Sequence, residues 1–216
     1  MLKEQAQEFY DISPEISEHT AVFPGDRPFS RNTSLTFEKG DHLTLSDIHC
    51  TAHIGAHVDA PLHYHSGGEA IHARSLSYYL GPCQVIEVKL PRDRRILPQD
   101  IQGVSILAKR VLFKTRSFPD PNQWNGDFNS LSPELVEDLA GKGVVLVGID
   151  TPSVDPAQSK KLEAHQAIYK NNLALLEGII LDSVVEGVYD LVALPLKIRG
   201  ADASPVRAIL IKQAVL

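Results

Sequence analysis

Residues 141–150 read GKGVVLVGID, a Gly-Lys-Gly turn followed by an apolar run that ends on an acid. A continuous apolar strand, as opposed to an alternating one, belongs to a sheet covered on both faces, the arrangement of α/β proteins. Just before it, SPELVEDLAGKG (132–143) opens on Ser-Pro-Glu and closes on Gly, which predicts a short helix over Pro133–Ala140. After it, DPAQSKKLEAHQAIYKNN (155–172) predicts a second helix ending near Asn171–Asn172, and LALLEGIILD (173–182) is a short apolar run. Further out, LGPCQVIEVKLP (80–91) and RVLFKTRS (110–117) read as strands. DLVALPLKIRG (190–200) and SPVRAILIKQAV (204–215) read as a closing pair of strands. Strands outnumber helices and two helices lie between strands. The expectation is a mixed, strand-rich α/β fold with a largely buried sheet, in a single domain over residues 1–216.

Composition narrows the function classes. The chain has 216 residues, 43% of them hydrophobic, which at this size permits a core without disulfide or metal staples. Net charge is -6 and no basic stripe or run of like charge occurs, so nucleic acid and anionic membrane are poor partners. Cys50 and Cys83 are the only cysteines, and two thiols make no disulfide framework. The N-terminal MLKEQAQEFYDISPEI lacks the apolar stretch of a signal peptide, and no apolar run reaches membrane-spanning length. A cytoplasmic location is the expectation.

The chemistry concentrates in residues 49–65, HCTAHIGAHVDAPLHYH, which hold five of the nine histidines (His49, His53, His57, His63 and His65) around one acid, Asp59. Gly55 and Pro61 argue against a helix here. On an extended segment His57 and Asp59 point to one side, and a turn at Ile54–Gly55 could bring His53 round to join them. His63 and His65 would continue the alternation past Pro61. Three mixed nitrogen and oxygen ligands on one segment suit zinc or a similar divalent ion. The competing reading is a set of surface or hydrogen-bonded histidines with no joint role. Two distant residues are candidates to complete a site, which could hold two metals. His165 sits in the second helix, where it could also be a solvated histidine. Glu177 sits inside an apolar run, where a buried carboxylate needs a partner or a metal, although an exposed strand end would equally accommodate it. No G-x-S-x-G elbow, Walker loop or dinucleotide loop is present. Cys50, among histidines, is a packed residue on this reading and not a nucleophile.

HIGAHVDAPLHY (53–64) resembles the signature of the cyclase family of metal-dependent hydrolases, and segments such as DISPEIS, VFPGDRPFS, GVVLVGIDTPSVDPAQSK, LEGIILD and DASPVRAIL are similar to its formamidase branch. The resemblance spans nearly the whole chain. It implies a swivelling β/β/α-type fold, a homodimer, and metal-dependent hydrolysis of an aryl formamide, N-formyl-L-kynurenine, to L-kynurenine and formate. By resemblance, His53, His57 and Asp59 hold one metal, and Asp59 bridges to a second held by His165 and Glu177, with Glu177 bridging too. His63 is then the proton donor and acceptor, and Phe23 lines the substrate pocket where many relatives have Trp. The ligands accept Zn²⁺ or Mn²⁺. Two rivals stand beside this: hydrolysis of a cyclic amide such as isatin at the same site, and a non-catalytic metal protein. His42, His49, His65 and His72 receive no role.

Overall fold

A computed structural model of the chain describes residues 8–212. In chain order the strands are β1 (Phe9–Asp11), β2 (Ser30–Leu35), β3 (Leu45–His49), β4 (His57–Asp59), β5 (Leu80–Glu87), β6 (Arg95–Ile96) and β7 (Arg110–Lys114), then β8 (Ser130–Leu131), β9 (Leu146–Ile149), β10 (Ala174–Glu177), β11 (Gly187–Val192), β12 (Ala203–Pro205) and β13 (Ile209–Lys212). The α-helical segments are α1 (Pro61–Tyr64), α2 (Pro133–Gly141) and α3 (Glu163–Lys170). The main sheet has nine strands in the order β1-β13-β11-β5-β7-β9-β10-β4-β12. Its centre, β5-β7-β9-β10, is parallel, and the strands to either side pair antiparallel. The fold is mixed α/β and strand-rich.

Both faces of the parallel centre are buried, as its apolar runs require. Val85, Leu112, Leu146 and Leu176 enter one core with Val58, Leu191 and Leu210. Their strand neighbours Ile86, Val111, Phe113, Val147, Ile149 and Leu175 enter the other, under α2 and α3 with Leu135, Leu139 and Ile168. Helix α2 starts as its sequence dictates: the Ser132 hydroxyl accepts the Leu135 N–H at 3.1 Å, with Pro133 in the first turn. Gly148 sits mid-strand because a Cβ there would come within 2.5 Å of Leu112 Cδ2.

Three expectations change. The second helix begins at Glu163, eight residues later than predicted, because Asp155 turns inward and accepts the Ala164 and His165 N–H groups at 3.1 Å each. The closing strands do pair, as β11 with β13, but β11 ends at Val192 and residues 204–205 belong to β12, which pairs with β4 at the opposite edge. The end of the second predicted strand, residues 213–215, lies outside the described residues. Finally, alternation stops at Pro61, which opens the single turn α1 instead of extending the strand. None of the described helices is long and apolar enough to cross a membrane.

Candidate metal centre

Strand β4 carries His57 and Asp59, with Val58 between them turned into the core. Antiparallel pairing with β10 sets Glu177 opposite His57, and Leu175 opposite Asp59. Gly55, at φ 57°, makes the turn that returns His53 to this strand, and the His53 and His57 rings meet edge to face at 5.2 Å. Helix α1 carries His63 to the same place, its ring 4.1 Å from that of His53. Helix α3 adds His165 from the helical layer, Nε2 toward the sheet.

These groups converge on Asp59. Its Oδ1 lies 2.9 Å from His53 Nδ1 and 3.6 Å from His57 Nε2. Its Oδ2 lies 3.5 Å from His165 Nε2 and 4.0 Å from His63 Nε2. Glu177 approaches His57 Nε2 through Oε2 at 3.2 Å and His165 Nε2 through Oε1 at 3.8 Å. Asp59, His57, His165 and Glu177 are each 2% exposed, which rules out the reading of solvated, independent side chains. Despite these short distances both Asp59 oxygens lack a hydrogen-bond partner of proper geometry. A fully buried carboxylate in that condition is costly unless a cation meets it. One ligand atom from each of His53, His57 and Asp59 lies within 4.8 Å of the others, and the same holds for Asp59, His63 and His165. The donor set of imidazole and carboxylate fits a divalent cation.

Outer groups fix how the rings are presented. His57 Nδ1 donates to the Gly55 carbonyl at 2.9 Å, which leaves Nε2 with its lone pair toward the acids. His165 Nδ1 is held by Asp155 Oδ2 at 2.8 Å, and Asp155 is itself paired with Arg95 at 2.9 Å. Asp202 reaches both His53 Nε2, at 3.0 Å, and His63 Nδ1, at 3.5 Å. Glu177 Oε1 accepts the Val154 N–H at 2.7 Å. Electrostatics follow from this crowding. Burial disfavours charge on His53, but Asp59 and then Asp202 outweigh it and raise its pKa to about 10. His165 is likewise raised to about 10, burial being overcome by Asp155 and Asp59. Burial would raise Asp59, yet His53, His165 and His57 hold it well below the usual carboxylate range.

The remaining candidates are placed as follows. Phe23 lines the cavity beside His53 and His57, and Trp124 packs edge-on behind it at 4.6 Å between ring centroids. His65 leaves the cluster and stacks on Tyr169 at 3.8 Å. His49 pairs with Asp47 on the exposed β3, and His72 accepts the Gly200 N–H. Burial raises the Cys50 thiol, in keeping with a packed residue. Sequence reasoning missed Asp155 and Asp202. Asp202 carries no local signal, but Asp155 lies at the start of a helical pattern, where a capping carboxylate is expected.

Comparison with known proteins agrees with this architecture. The Cyclase family model matches residues 10–156, so the chain belongs to that family. A kynurenine formamidase of Bordetella petrii is 45% identical over 202 residues, 93% of this chain and 96% of that protein. A solved structure described as a predicted metal-dependent hydrolase from Bacillus stearothermophilus is 31% identical with a TM-score of 0.82, covering 97% of this chain and all of the other. Isatin hydrolase A from Ralstonia solanacearum shares the fold at a TM-score of 0.81 and 22% identity, over 95% of this chain and 92% of its own.

Proposed function

We propose that this chain is a metal-dependent arylformamidase that hydrolyses N-formyl-L-kynurenine to L-kynurenine and formate. The observation that carries the reading is the convergence of four imidazoles on a buried, hydrogen-bond-deficient Asp59, with Glu177 against two of them, beside a cavity with an aromatic wall. The 45% identity to a kynurenine formamidase over 93% of the chain supports the substrate.

His53, His57 and Asp59 would hold one divalent ion, and Asp59, His165 and Glu177 a second, zinc being the better match to these ligands and manganese acceptable to them. Bound there, such ions polarise the formyl carbonyl, stabilise the charge that develops on its oxygen and acidify water. His63 is the general base and acid. It is the most exposed of the cluster's histidines, with Nε2 toward Asp59 and Nδ1 steadied by Asp202. It takes the proton from the attacking water and returns it to the aniline nitrogen, whose departure as an anion is otherwise slow. Phe23 supplies a flat apolar wall for the aryl ring, and Trp124 behind it stiffens that wall.

The enzyme acts as a homodimer. Among the described residues strands β2 and β3 pair only with each other, and they expose Leu45 and Ile48, surface that a second copy would cover. Two unpaired cysteines support a reducing, cytoplasmic setting. The test is formate release by purified protein after chelation and reloading with Zn²⁺ or Mn²⁺, with isatin measured in parallel. Metal-dependent formate from N-formylkynurenine is expected. Isatin opening without formate release would move the reading to a cyclic amide, and neither reaction would leave a metal-binding protein without catalysis.

A further inference from the structure

The cavity that touches the metal centre through His53 and His57 extends away from it to a second polar end, formed by Arg116, Asp150 and Asp182. Its volume is about 150 Å³, and cavities of that size take a benzene ring. The sheet fixes how far apart the two ends lie. Arg116 and Asp150 follow β7 and β9, and these strands run parallel to β10, so all three present their carboxyl ends on one side. His57 is on β4, the strand beyond β10, three strands from β7. At about 4.8 Å per strand the two backbones stand roughly 14 Å apart. Side chains reaching inward from both sides leave the span of one small aryl ketone.

Arg116 is held there deliberately. Its φ is 56°, a conformation that non-glycine residues seldom adopt and that is commonest at functional sites. The buried Asp150 carboxylate fixes it, Oδ2 accepting both the Thr115 and Arg116 N–H groups at 2.8 Å and Oδ1 accepting the Thr115 hydroxyl at 2.6 Å. The guanidinium contacts Glu87 through Nε at 3.3 Å, and the side chain is 53% exposed. Opposite it, buried Lys114 donates to the carbonyls of Asp182 and Val184, at 3.1 and 2.7 Å, and so pins the turn that carries the Asp182 carboxylate. The far end thus counts a cation, Arg116, and an anion, Asp182, among the residues that line the cavity.

We infer that Arg116 and Asp182 form a subsite for a zwitterionic amino-acid group, Arg116 taking the α-carboxylate and Asp182 the α-ammonium of an aryl formamide whose formyl end lies at the metal centre. This rests on the formamidase reading and deepens it. It makes the enzyme selective for an amino-acid side chain over a plain aryl formamide, since a guanidinium matches a carboxylate geometrically and both partners lose water only when the correct ligand enters.

The experiment compares two substrates on the metal-loaded enzyme: N-formyl-L-kynurenine, and 2-formamidoacetophenone, the same aryl ketone without the amino-acid end. Arg116→Ala and Asp182→Asn should each lower kcat/KM on the first on the order of 10- to 100-fold, mainly through KM, and leave the second within about twofold. Arg116→Lys should recover part of the loss. An equal fall on both substrates, or no fall on either, overturns the subsite. Wild-type protein that releases formate from neither compound overturns the formamidase reading itself, and the subsite with it.

Discussion

Glu177 lies directly opposite His57 across the β4–β10 ladder, its Oε2 3.2 Å from His57 Nε2. Its other oxygen is fixed by the Val154 N–H, so the carboxylate cannot swing away. Glu177→Gln keeps the shape and that hydrogen bond while removing the charge. Elemental analysis of the purified variant should show at least one divalent ion fewer per chain and turnover close to background. Full metal occupancy in this variant would take Glu177 out of the ligand set.

His63 should separate chemistry from metal binding. His63→Ala is expected to keep its metal and to lose turnover by on the order of 10²-fold or more. If the variant arrives metal-free instead, His63 is a ligand and another group moves the proton.

Asp155 acts through His165. It accepts Nδ1 and two backbone N–H groups while facing Arg95. Asp155→Asn should weaken metal affinity by roughly 10- to 100-fold in a competition titration against a chelator. Unchanged affinity would reduce Asp155 to a helix cap.

Gly178 packs against the loop that returns His53. It has a φ of 65°, and a Cβ there would lie 2.2 Å from the Gly55 carbonyl oxygen, the group that accepts His57 Nδ1. Gly178→Ala should destabilise the protein by on the order of 3 kcal/mol or more. At this size that lowers Tm by roughly 6–12 °C, and metal affinity should fall with it. A variant of wild-type Tm would mean the loop yields freely.

Metal uptake should be coupled to protons. His53 and His165 have pKa values raised to about 10, so in metal-free protein at pH 7–8 both rings are protonated. A cation must displace those protons. Zn²⁺ binding should therefore release on the order of two protons per chain, and apparent affinity should rise with pH between about 6 and 10. An indicator dye in weak buffer reads the release, and binding without it would show the rings neutral beforehand.

Much of this was legible in residue order. The apolar run 144–149 announced a doubly covered strand, and within β9 Leu146 enters one core while Val147 and Ile149 enter the other. His57 and Asp59 share a side because strand geometry has a period of two, and Gly55 marked the turn for His53. The point where α3 begins was not legible, because it depends on a side chain, Asp155, folding back nine residues. Nor was the fate of His65, because Pro61 could as well have interrupted a strand as opened a helical turn.

What the chain determines locally is set by bond rotation and burial: which segments are strands, where they turn, which acids and imidazoles sit together on one. Convergence is another matter. Glu177 faces His57 because of a strand register, His165 arrives from a helix in a different layer, and Asp202 comes from the loop before the edge strand β12. Those meetings depend on long-range pairing, whose energy is distributed over the whole buried sheet and written in no short stretch of residues.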